Sequence, residues 1–239
     1  MTGAPLLDTR GVTKRFGGLV ALRHVDVHQH AGETLGMIGP NGSGKTTFVN
    51  CITGHLRPDA GTVRFAGNDL ARLKPHQVGR CGLSRTYQSV RIYKNLTARQ
   101  NVETAMLEVV EPPGRDELNE LVAFMQLDGQ LEKLAGSLTL FEQRRLELLS
   151  RLVQRPGLVM LDEPVGGLAS GEVRQMIALL TAVKSRCSIF VIEHTMKVIR
   201  EIADRVVVLM AGEKIADGAP SDVLQDRQVV EHYLGGVDA

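Results

Sequence analysis

Apolar residues recur in short continuous runs in the last third of the chain, each followed by a stretch with helical spacing. The runs at 158–161, 188–192 and 206–210 are separated by helical patterns at 171–186 and 195–203. Near-continuous apolar strands that alternate with helices indicate a parallel sheet that is buried on both faces. We therefore predict an α/β core in this part of the chain.

The first third of the chain has a different pattern. Residues 5–35 are typical of short strands, with turns at 16–18 and 31–33. An apolar strand at 34–38 then runs directly into a glycine-rich stretch, and a helix follows that ends at Gly54. This order predicts edge strands wrapped around one strand–loop–helix unit.

The middle of the chain carries mostly helical patterns. Because the linkers on both sides are short, we interpret this region as an insertion in one domain that spans 1–239. Residues 1–88 and 156–239 are assigned to the α/β core with its β subdomain, and residues 89–155 to a helical subdomain. Val90, Ile92, Tyr93 and Leu96 follow the junction at 88; they are either an apolar docking patch or part of the interior of the helical subdomain.

Composition excludes several classes of protein. The 28 basic and 27 acidic side chains give a formal net charge of +1, so no basic field predicts nucleic-acid binding. The cysteines Cys51, Cys81 and Cys187 lie far apart, which indicates neither a disulfide framework nor a zinc site. No apolar stretch approaches the roughly 18 residues of a membrane span. If the protein serves a membrane, we expect it to act from outside the bilayer.

Residues 39–46, GPNGSGKT, match the pattern G-x-x-x-x-G-K-[ST] between a predicted strand and a predicted helix. Glycines let backbone N–H groups curl around a polyphosphate, and the helix N-terminus favours its charge. Lys45 is then expected to reach the β- and γ-phosphates, and the Thr46 hydroxyl to bind Mg²⁺. The alternative, a glycine-rich turn with an incidental lysine, does not account for the full pattern. The predicted nucleotide-binding residues of this stretch are Gly39, Pro40, Asn41, Gly42, Ser43, Gly44, Lys45, Thr46 and Thr47.

Polar residues follow three further predicted strands. Asp162 and Glu163 end the run LVMLDE, which would bring their carboxylates beside the phosphate loop. Asp162 would hold Mg²⁺ through water, and Glu163 would polarise an attacking water molecule. His194 follows the next apolar strand and emerges at the same edge. Gln88 closes a predicted strand before the helical insertion.

Residues 137–152, SLTLFEQRRLELLSRL, predict the start of an amphipathic helix. Thr139 and Glu142 fit a capping box, in which the hydroxyl accepts a backbone N–H and the carboxylate reaches back. Leu146, Leu149 and Leu152 continue a helical apolar stripe. From the residues alone it stays open whether this helix start also meets a phosphate.

Together these motifs resemble the nucleotide-binding subunit of an ATP-binding cassette (ABC) transporter over essentially the whole chain. GPNGSGKTT resembles the Walker A loop and LVMLDEP the Walker B strand, while Gln88 and His194 match the Q-loop glutamine and the switch histidine. The resemblance implies a RecA-like P-loop NTPase core of class α/β, with an antiparallel β subdomain and an inserted α-helical subdomain. It also implies ATP and Mg²⁺ as cofactors, with Glu163, His194 and Gln88 in catalysis and Thr46, Gln88 and Asp162 at the metal. Phe16 falls where the family places an aromatic residue against adenine, although a core aromatic at a hairpin is an equal alternative.

The stretches KRFGGLVAL, SRTYQSVRIYKNLT, LDEPVGGL, IEHTMKVI and VVEHYLGG resemble importers of branched-chain and other hydrophobic amino acids. This closer resemblance implies a second ATP-binding subunit in a homo- or heterodimer, membrane permease subunits and, indirectly, a solute-binding protein. It implies no nucleic acid and a cytoplasmic, peripheral location on the inner face of the cell membrane. Two rival functions stay open: a low-turnover regulatory cassette, and a soluble cassette ATPase that acts on nucleic acid.

The family signature LSGGQ, which grips the nucleotide of the opposite subunit, aligns with residues 138–142. The signature positions here are Thr139, Leu140, Phe141 and Glu142, so both glycines are absent and Phe141 stands where the backbone is expected to approach phosphate most closely. Ala169 also replaces the aspartate that normally ends the D-loop. Either the site closes with the Thr139 hydroxyl and hydrolyses slowly, or the chain pairs with a different ATPase.

Overall fold

The computed structural model describes residues 3–107 and 109–234 and contains two sheets with helices packed against them. The strands are β1 (Leu7–Phe16), β2 (Leu19–Gln29), β3 (Thr34–Ile38), β4 (Ala60–Phe65), β5 (Asn68–Asp69), β6 (Leu83–Arg85), β7 (Leu158–Asp162), β8 (Ser188–Ile192), β9 (Arg205–Met210) and β10 (Glu213–Gly218). The helices are α1 (Lys45–Ile52), α2 (Pro75–Arg80), α3 (Ala98–Met106), α4 (Arg115–Phe124), α5 (Leu140–Leu152), α6 (Ser170–Val183), α7 (Met196–Ile202), α8 (Pro220–Val223) and α9 (Arg227–Leu234). Short 3₁₀ turns occupy Asp128–Gln130 and Ala135–Ser137.

The larger sheet has the strand order β10-β9-β3-β8-β7-β6. All neighbours are parallel except β10, which runs antiparallel to β9. The carboxyl ends of β3, β7 and β8 therefore lie at one edge, where Asp162 is in register with Ile192. This places the segments that follow these three strands side by side, as the sequence pattern predicted.

The smaller sheet is antiparallel, with the order β2-β1-β4-β5. Its first two strands are long, whereas the sequence predicted several short ones. Gly11 and His24 adopt positive φ of 59° and 49°, and the strand register shifts at these residues. The shifts interrupt the alternation of buried and exposed side chains, which made each long strand resemble several short ones. Phe16 pairs with Leu19 at the end of this hairpin, which confirms the predicted turn.

Helix α1 is buried between the two sheets. Phe48 and Ile52 on this helix share one hydrophobic cluster with Leu7 and Val25 of the smaller sheet and Phe190 of the larger sheet. The rings of Phe48 and Phe190 are 6.5 Å apart between centroids. Burial on both sides fixes the helix that begins at the phosphate loop, and Gly54 lies just beyond its last residue, Ile52, as predicted.

Helices α3, α4 and α5 follow β6 and pack on one another. Val102, Leu121 and Leu149 contribute one residue from each helix to a cluster that continues into the larger sheet. This confirms an α/β core with an antiparallel β subdomain and an inserted helical subdomain. No helix within 3–107 and 109–234 is long and apolar enough to cross a bilayer.

Helix α6 ends three residues earlier than its apolar pattern predicted. The N–H groups of Ser185 and Arg186 donate to the carbonyls of Ala182 and Val183, at 3.1 and 2.8 Å. These three-residue hydrogen bonds tighten the last turn and direct the chain into β8.

Candidate active site

The loop between β3 and α1 requires glycine at two positions where the chain approaches other backbone closely. A Cβ on Gly39 would lie 2.1 Å from the Leu209 carbonyl oxygen. A Cβ on Gly44, whose φ is 105°, would lie 2.7 Å from the Ala21 carbonyl oxygen. Gly44 is also the N-cap of α1 and provides no capping side chain. The N–H groups of the first turn therefore stay available for an anion.

The Lys45 side chain folds back over the loop from which it comes. Its ammonium donates to the carbonyls of Gly39 and Pro40 at 2.6 and 2.9 Å. Burial lowers the pKa of this ammonium, and the carboxylates of Glu163 and Asp162 oppose that effect. Lys45 thus lies in the field of the two carboxylates that follow β7.

An open cleft of about 560 Å³ brings most of the predicted site residues together. Asn41, Gly42, Ser43, Gly44, Lys45, Thr46, Thr47, Gln88, Asp162, Glu163 and Phe16 line it. Gly39 and Pro40 lie at the base of the loop, outside this lining. The apolar side of the cleft is formed by Phe16 with Leu19 and Val20.

Phe16 is 46% exposed, so the alternative interpretation of a core aromatic is wrong. Its ring lies on the cleft wall, and the Lys14 ammonium is 5.6 Å from the ring centroid. An exposed aromatic face at the mouth of a cleft suits a planar heteroaromatic ligand.

Glu163 is contacted by both of the other predicted catalytic residues. The Gln88 amide donates to Glu163 Oε2 at 2.8 Å, and His194 Nδ1 is 3.5 Å from Glu163 Oε1. Glu163 has a positive φ of 50°, which is uncommon for a residue with a side chain. Its N–H donates to the Ile192 carbonyl at 2.9 Å, which anchors this turn on the neighbouring strand.

The predicted metal-binding residues provide oxygen donors in the same cleft. Thr46 contributes a hydroxyl, Gln88 an amide carbonyl and Asp162 a carboxylate. Mg²⁺ prefers oxygen ligands and is usually held by few side chains together with phosphate and water. The donor set therefore fits Mg²⁺. Within 3–107 and 109–234, no group of three or more His, Cys, Asp or Glu side chains is arranged to hold a metal ion without further ligands.

The predicted capping box at the start of α5 is confirmed. The Glu142 N–H donates to Thr139 Oγ1 at 3.3 Å, and the Thr139 N–H donates to Glu142 Oε2 at 2.8 Å. The Thr139 hydroxyl also donates to the same carboxylate at 3.1 Å. The signature residues lie outside the cleft that Lys45 and Glu163 line.

The two apolar signature residues point in different directions. Phe141 is only 7% exposed and packs in the helical core, with the Arg145 guanidinium 4.5 Å from its ring centroid. Leu140 is 40% exposed and lies beside Gly167, where an added Cβ would be 3.1 Å from Leu140 Cδ2. The exposed apolar side chain at this helix start is therefore that of Leu140. From the sequence we expected Phe141 to be the residue at the closest approach to phosphate.

Charged residues buried in α5 were not identified from the sequence. Arg144 donates to the Gly166 carbonyl at 2.6 Å and to the Gln88 carbonyl at 3.5 Å. Glu147 accepts the Arg91 N–H at 3.2 Å. These bonds connect α5 with the segments that follow β6 and β7. The sequence offered one signal for these buried charges: charged residues alternate with leucines along α5.

Glu193 was also missed, although it directly precedes His194. It is completely buried, and burial raises the pKa of its carboxyl group. Its Oε1 accepts the Val165 N–H at 3.2 Å, while Oε2 accepts the N–H groups of His194 and Thr195 at 3.2 and 3.4 Å. One carboxylate thus caps the segments after β7 and β8.

Known proteins share this architecture over nearly the whole chain. A family profile described as "ABC transporter" matches residues 22–166, and one described as "Branched-chain amino acid ATP-binding cassette transporter" matches residues 213–239. The high-affinity branched-chain amino acid transport ATP-binding protein BraF of Pseudomonas aeruginosa is 35% identical over 97% of this chain and 98% of its own length. The corresponding protein LivG of Escherichia coli K12 is 33% identical over the same shares.

A solved structure gives the same result. The ADP conformation of MJ1267, an ATP-binding cassette of an ABC transporter, superposes with a TM-score of 0.86 and 28% identity. The superposition covers 98% of this chain and 100% of that chain. The family profile and relatives above 30% identity over almost the full length lead to one conclusion. The chain belongs to the ABC transporter family and is one of its ATP-binding subunits.

Proposed function

We propose that this chain hydrolyses ATP in the presence of Mg²⁺ and thereby drives uptake of branched-chain amino acids or related small solutes through separate membrane subunits. The observation that carries the proposal is the contact of both Gln88 and His194 with Glu163 at the end of the cleft that Lys45 lines. The names of BraF and LivG support the class of transported solute.

In this proposal each side chain has a distinct role. Glu163 polarises the attacking water and accepts its proton, while Gln88 and His194 hold the carboxylate in place. Lys45 and the N–H groups at the start of α1 bind the β- and γ-phosphates. Positioning and electrostatic stabilisation supply most of the rate in such phosphoryl transfers.

Phe16 is proposed to stack on adenine from the exposed side of the cleft. Thr46, Gln88 and Asp162 would hold Mg²⁺, which neutralises charge on the phosphate oxygens when bound. Both assignments use residues that line the same cleft as Lys45.

A second ATP-binding subunit, identical or different, is part of the proposal because the signature residues do not line the cleft of their own chain. The capping box occupies the Thr139 hydroxyl and the Glu142 N–H. The N–H groups of Leu140 and Phe141 are then the donors of this turn that a partner's phosphate would use. The Glu142 carboxylate at the same helix end opposes an anion, which supports slow hydrolysis or a heterodimer.

The membrane partner is proposed to dock where the helical subdomain meets the core. Val90, Ile92 and Tyr93 line a groove of about 650 Å³ there, and Tyr93 is 61% exposed. Ile92 also packs against the helical core, and Leu96 does not line the groove. Part of this patch is therefore available for docking, and part belongs to the interior of the helical subdomain. Permease subunits would occupy the groove, and a solute-binding protein would act through them. In this proposal the chain works in the cytoplasm, at the inner face of the cell membrane.

A neighbouring cavity of about 500 Å³ supports an acidic contact segment on that partner. It shares Tyr87, Arg151 and Gln154 with the groove. His55, His76, Arg80, Arg85, Arg151 and Arg155 line it, and its described lining contains no carboxylate. An acidic segment of the permease fits such a surface.

A low-turnover regulatory subunit is the second candidate, supported by Ala169 and by the absence of glycine from residues 139–142. Measuring ATP hydrolysis by the chain assembled with its membrane partners separates the two functions. We expect Glu163→Gln to lower turnover by about 100-fold or more while ATP still binds. Glu132→Gln, a change in an exposed ion pair with Arg99, is the matched control and should leave turnover unchanged. Equal turnover of the Glu163→Gln and control complexes would overturn the proposed hydrolysis.

The transported solute needs a separate measurement. Membrane vesicles that hold the complete complex and enclosed ATP should accumulate labelled leucine, isoleucine or valine in the presence of the binding protein. Hydrolysis without accumulation of any of the three would overturn the solute class and leave the ATPase assignment intact. Salt-dependent retention on nucleic acid would instead support the rival function of a soluble cassette ATPase that acts on nucleic acid.

A further inference from the structure

Arg85 is a buried arginine at the end of β6 that joins two elements of the site. Its Nη1 donates to Asn50 Oδ1 at 2.6 Å and to Thr53 Oγ1 at 3.4 Å. Its Nη2 donates to Asp162 Oδ2 at 2.9 Å. One guanidinium therefore connects helix α1 with the end of strand β7.

These two elements carry the residues proposed to hold Mg²⁺. Thr46 lies in the first turn of α1, and Asp162 is the last residue of β7. We propose that Arg85 is a positioning residue for Mg²⁺ binding, because it fixes α1 and β7 relative to each other and leaves Asp162 Oδ1 as the oxygen available to the cation or its water. This inference rests on the proposed Mg²⁺-dependent function.

The location of Arg85 separates positioning from direct participation. Asp162 lines the nucleotide cleft, whereas Arg85 does not and instead lines the basic cavity that contains His55 and Arg151. Arg85 therefore acts on the cleft through Asp162 and α1. Groups that orient metal ligands in this way commonly change metal affinity by 10- to 100-fold when removed.

The orientation of the guanidinium is itself fixed. The Arg85 guanidinium carbon lies 4.9 Å from the centroid of the Tyr87 ring. The Tyr87 hydroxyl is hydrogen-bonded to His55 Nε2 at 3.1 Å, and the Arg91 guanidinium lies 4.1 Å from the same ring. A lysine would preserve the charge, but its ammonium lacks the planar fork that reaches both Asn50 and Asp162.

The test measures binding rather than turnover. In the Glu163→Gln background, binding of a fluorescent ATP analogue is titrated with Mg²⁺ and repeated in EDTA. We expect Arg85→Gln to raise the Mg²⁺ midpoint by about tenfold or more, and Arg85→Lys and Asn50→Ala to raise it less. Affinity in EDTA should stay within about twofold, because the phosphate loop and Phe16 are untouched. Arg80→Gln, in an exposed arginine of the same cavity, is the control.

Several results would overturn this role. The first is an unchanged Mg²⁺ midpoint in Arg85→Gln. The second is a loss of nucleotide affinity in EDTA as large as the loss in Mg²⁺. The third is a lowered midpoint, which would show that Arg85 competes with the cation. If Arg85→Gln does not fold, the test rests on Arg85→Lys and Asn50→Ala, since Asn50→Ala retains the pair with Asp162. Binding that is independent of Mg²⁺ in the parent chain would instead contradict the proposed function.

Discussion

The amide of Gln88 and the carboxylate of Glu163 are joined by a hydrogen bond of 2.8 Å across 75 residues of sequence. Gln88 follows β6 and Glu163 follows β7, which are neighbours in the parallel sheet. Gln88 also stands at the beginning of the segment that leads into the helical subdomain. This one side chain therefore links the start of the helical subdomain to the carboxylate proposed to polarise water.

The first prediction concerns this hydrogen bond. Gln88→Ala should lower the turnover of the assembled complex by about 10- to 100-fold, because Glu163 loses one of its two orienting contacts. ATP binding should be nearly unchanged, since Lys45 and the loop remain. Turnover and nucleotide affinity are measured on the same preparation, with Gln225→Ala as an exposed glutamine control. An effect confined to affinity would contradict this role.

The second prediction concerns Phe16. Phe16→Leu should weaken ATP binding by about 5- to 30-fold, because it keeps apolar cover but removes a stacking face worth roughly 1–2 kcal/mol. Phe16→Trp should retain the affinity. The measurement is the equilibrium affinity of each variant for ATP. Leu19→Ala, on the same wall of the cleft, controls for lost apolar contact. If the leucine and tryptophan variants bind equally, stacking is excluded.

The third prediction separates the two apolar residues at the start of α5. Phe141→Ala should destabilise the chain by about 2–4 kcal/mol, because a buried aromatic side chain is removed from the helical core. Leu140→Ala should cost about 1 kcal/mol or less, since this residue is 40% exposed and lies at the helix start. Urea unfolding of both variants tests this difference, which would be absent if both side chains faced solvent.

The fourth prediction concerns association of two cassettes. Leu140→Gly should increase ATP-driven dimerisation of the Glu163→Gln chain severalfold, because the exposed side chain no longer covers the first turn of α5. Phe141→Ala should not, because its side chain already points inward. Sedimentation velocity with and without ATP provides the measurement. A gain with Phe141→Ala alone would identify the phenylalanine as the obstacle after all.

The fifth prediction concerns pH. Burial raises the pKa of Glu147 from 4.5 to about 7, so between these values the folded chain holds a proton that the unfolded chain has released. The free energy of unfolding therefore decreases as pH rises through this window. Glu147→Gln removes this penalty and keeps an acceptor for the Arg91 N–H, so it should gain roughly 2–3 kcal/mol relative to the parent chain between pH 4.5 and 8.

Urea unfolding at both pH values tests this prediction. Glu132→Gln changes an exposed carboxyl group and should show no such difference. A Glu147→Gln variant whose stability follows the parent chain at every pH would show that Glu147 is ionised throughout.

The features predicted from the sequence are those that local pattern determines. The phosphate loop needs glycine where Gly39 and Gly44 meet backbone, and the capping box of Thr139 and Glu142 spans four residues. The assembly of residues after β3, β7 and β8 followed from the apolar strands, because parallel strands end at one edge.

The features that were missed depend on packing between distant segments. Arg85 and Asp162 are 77 residues apart, and Arg144 reaches the Gly166 carbonyl across 22 residues. A charge in an amphipathic helix is usually solvated, so nothing local identifies Arg144 or Glu147 as buried. The inward orientation of Phe141 depends in the same way on the helices that pack around it.

Glu193 joins the loops after β7 and β8, which are distant in the sequence, into one unit. The loop after β7 contains Val165 and leads to Ala169, which ends the segment that resembles the D-loop, and the loop after β8 contains His194 beside Glu163. Because both loops donate N–H groups to the same buried carboxylate, neither can shift far without breaking the capping of the other. A shift at Glu163, the carboxylate proposed to polarise water, would therefore displace the segment that leads to Ala169 together with the loop that holds His194.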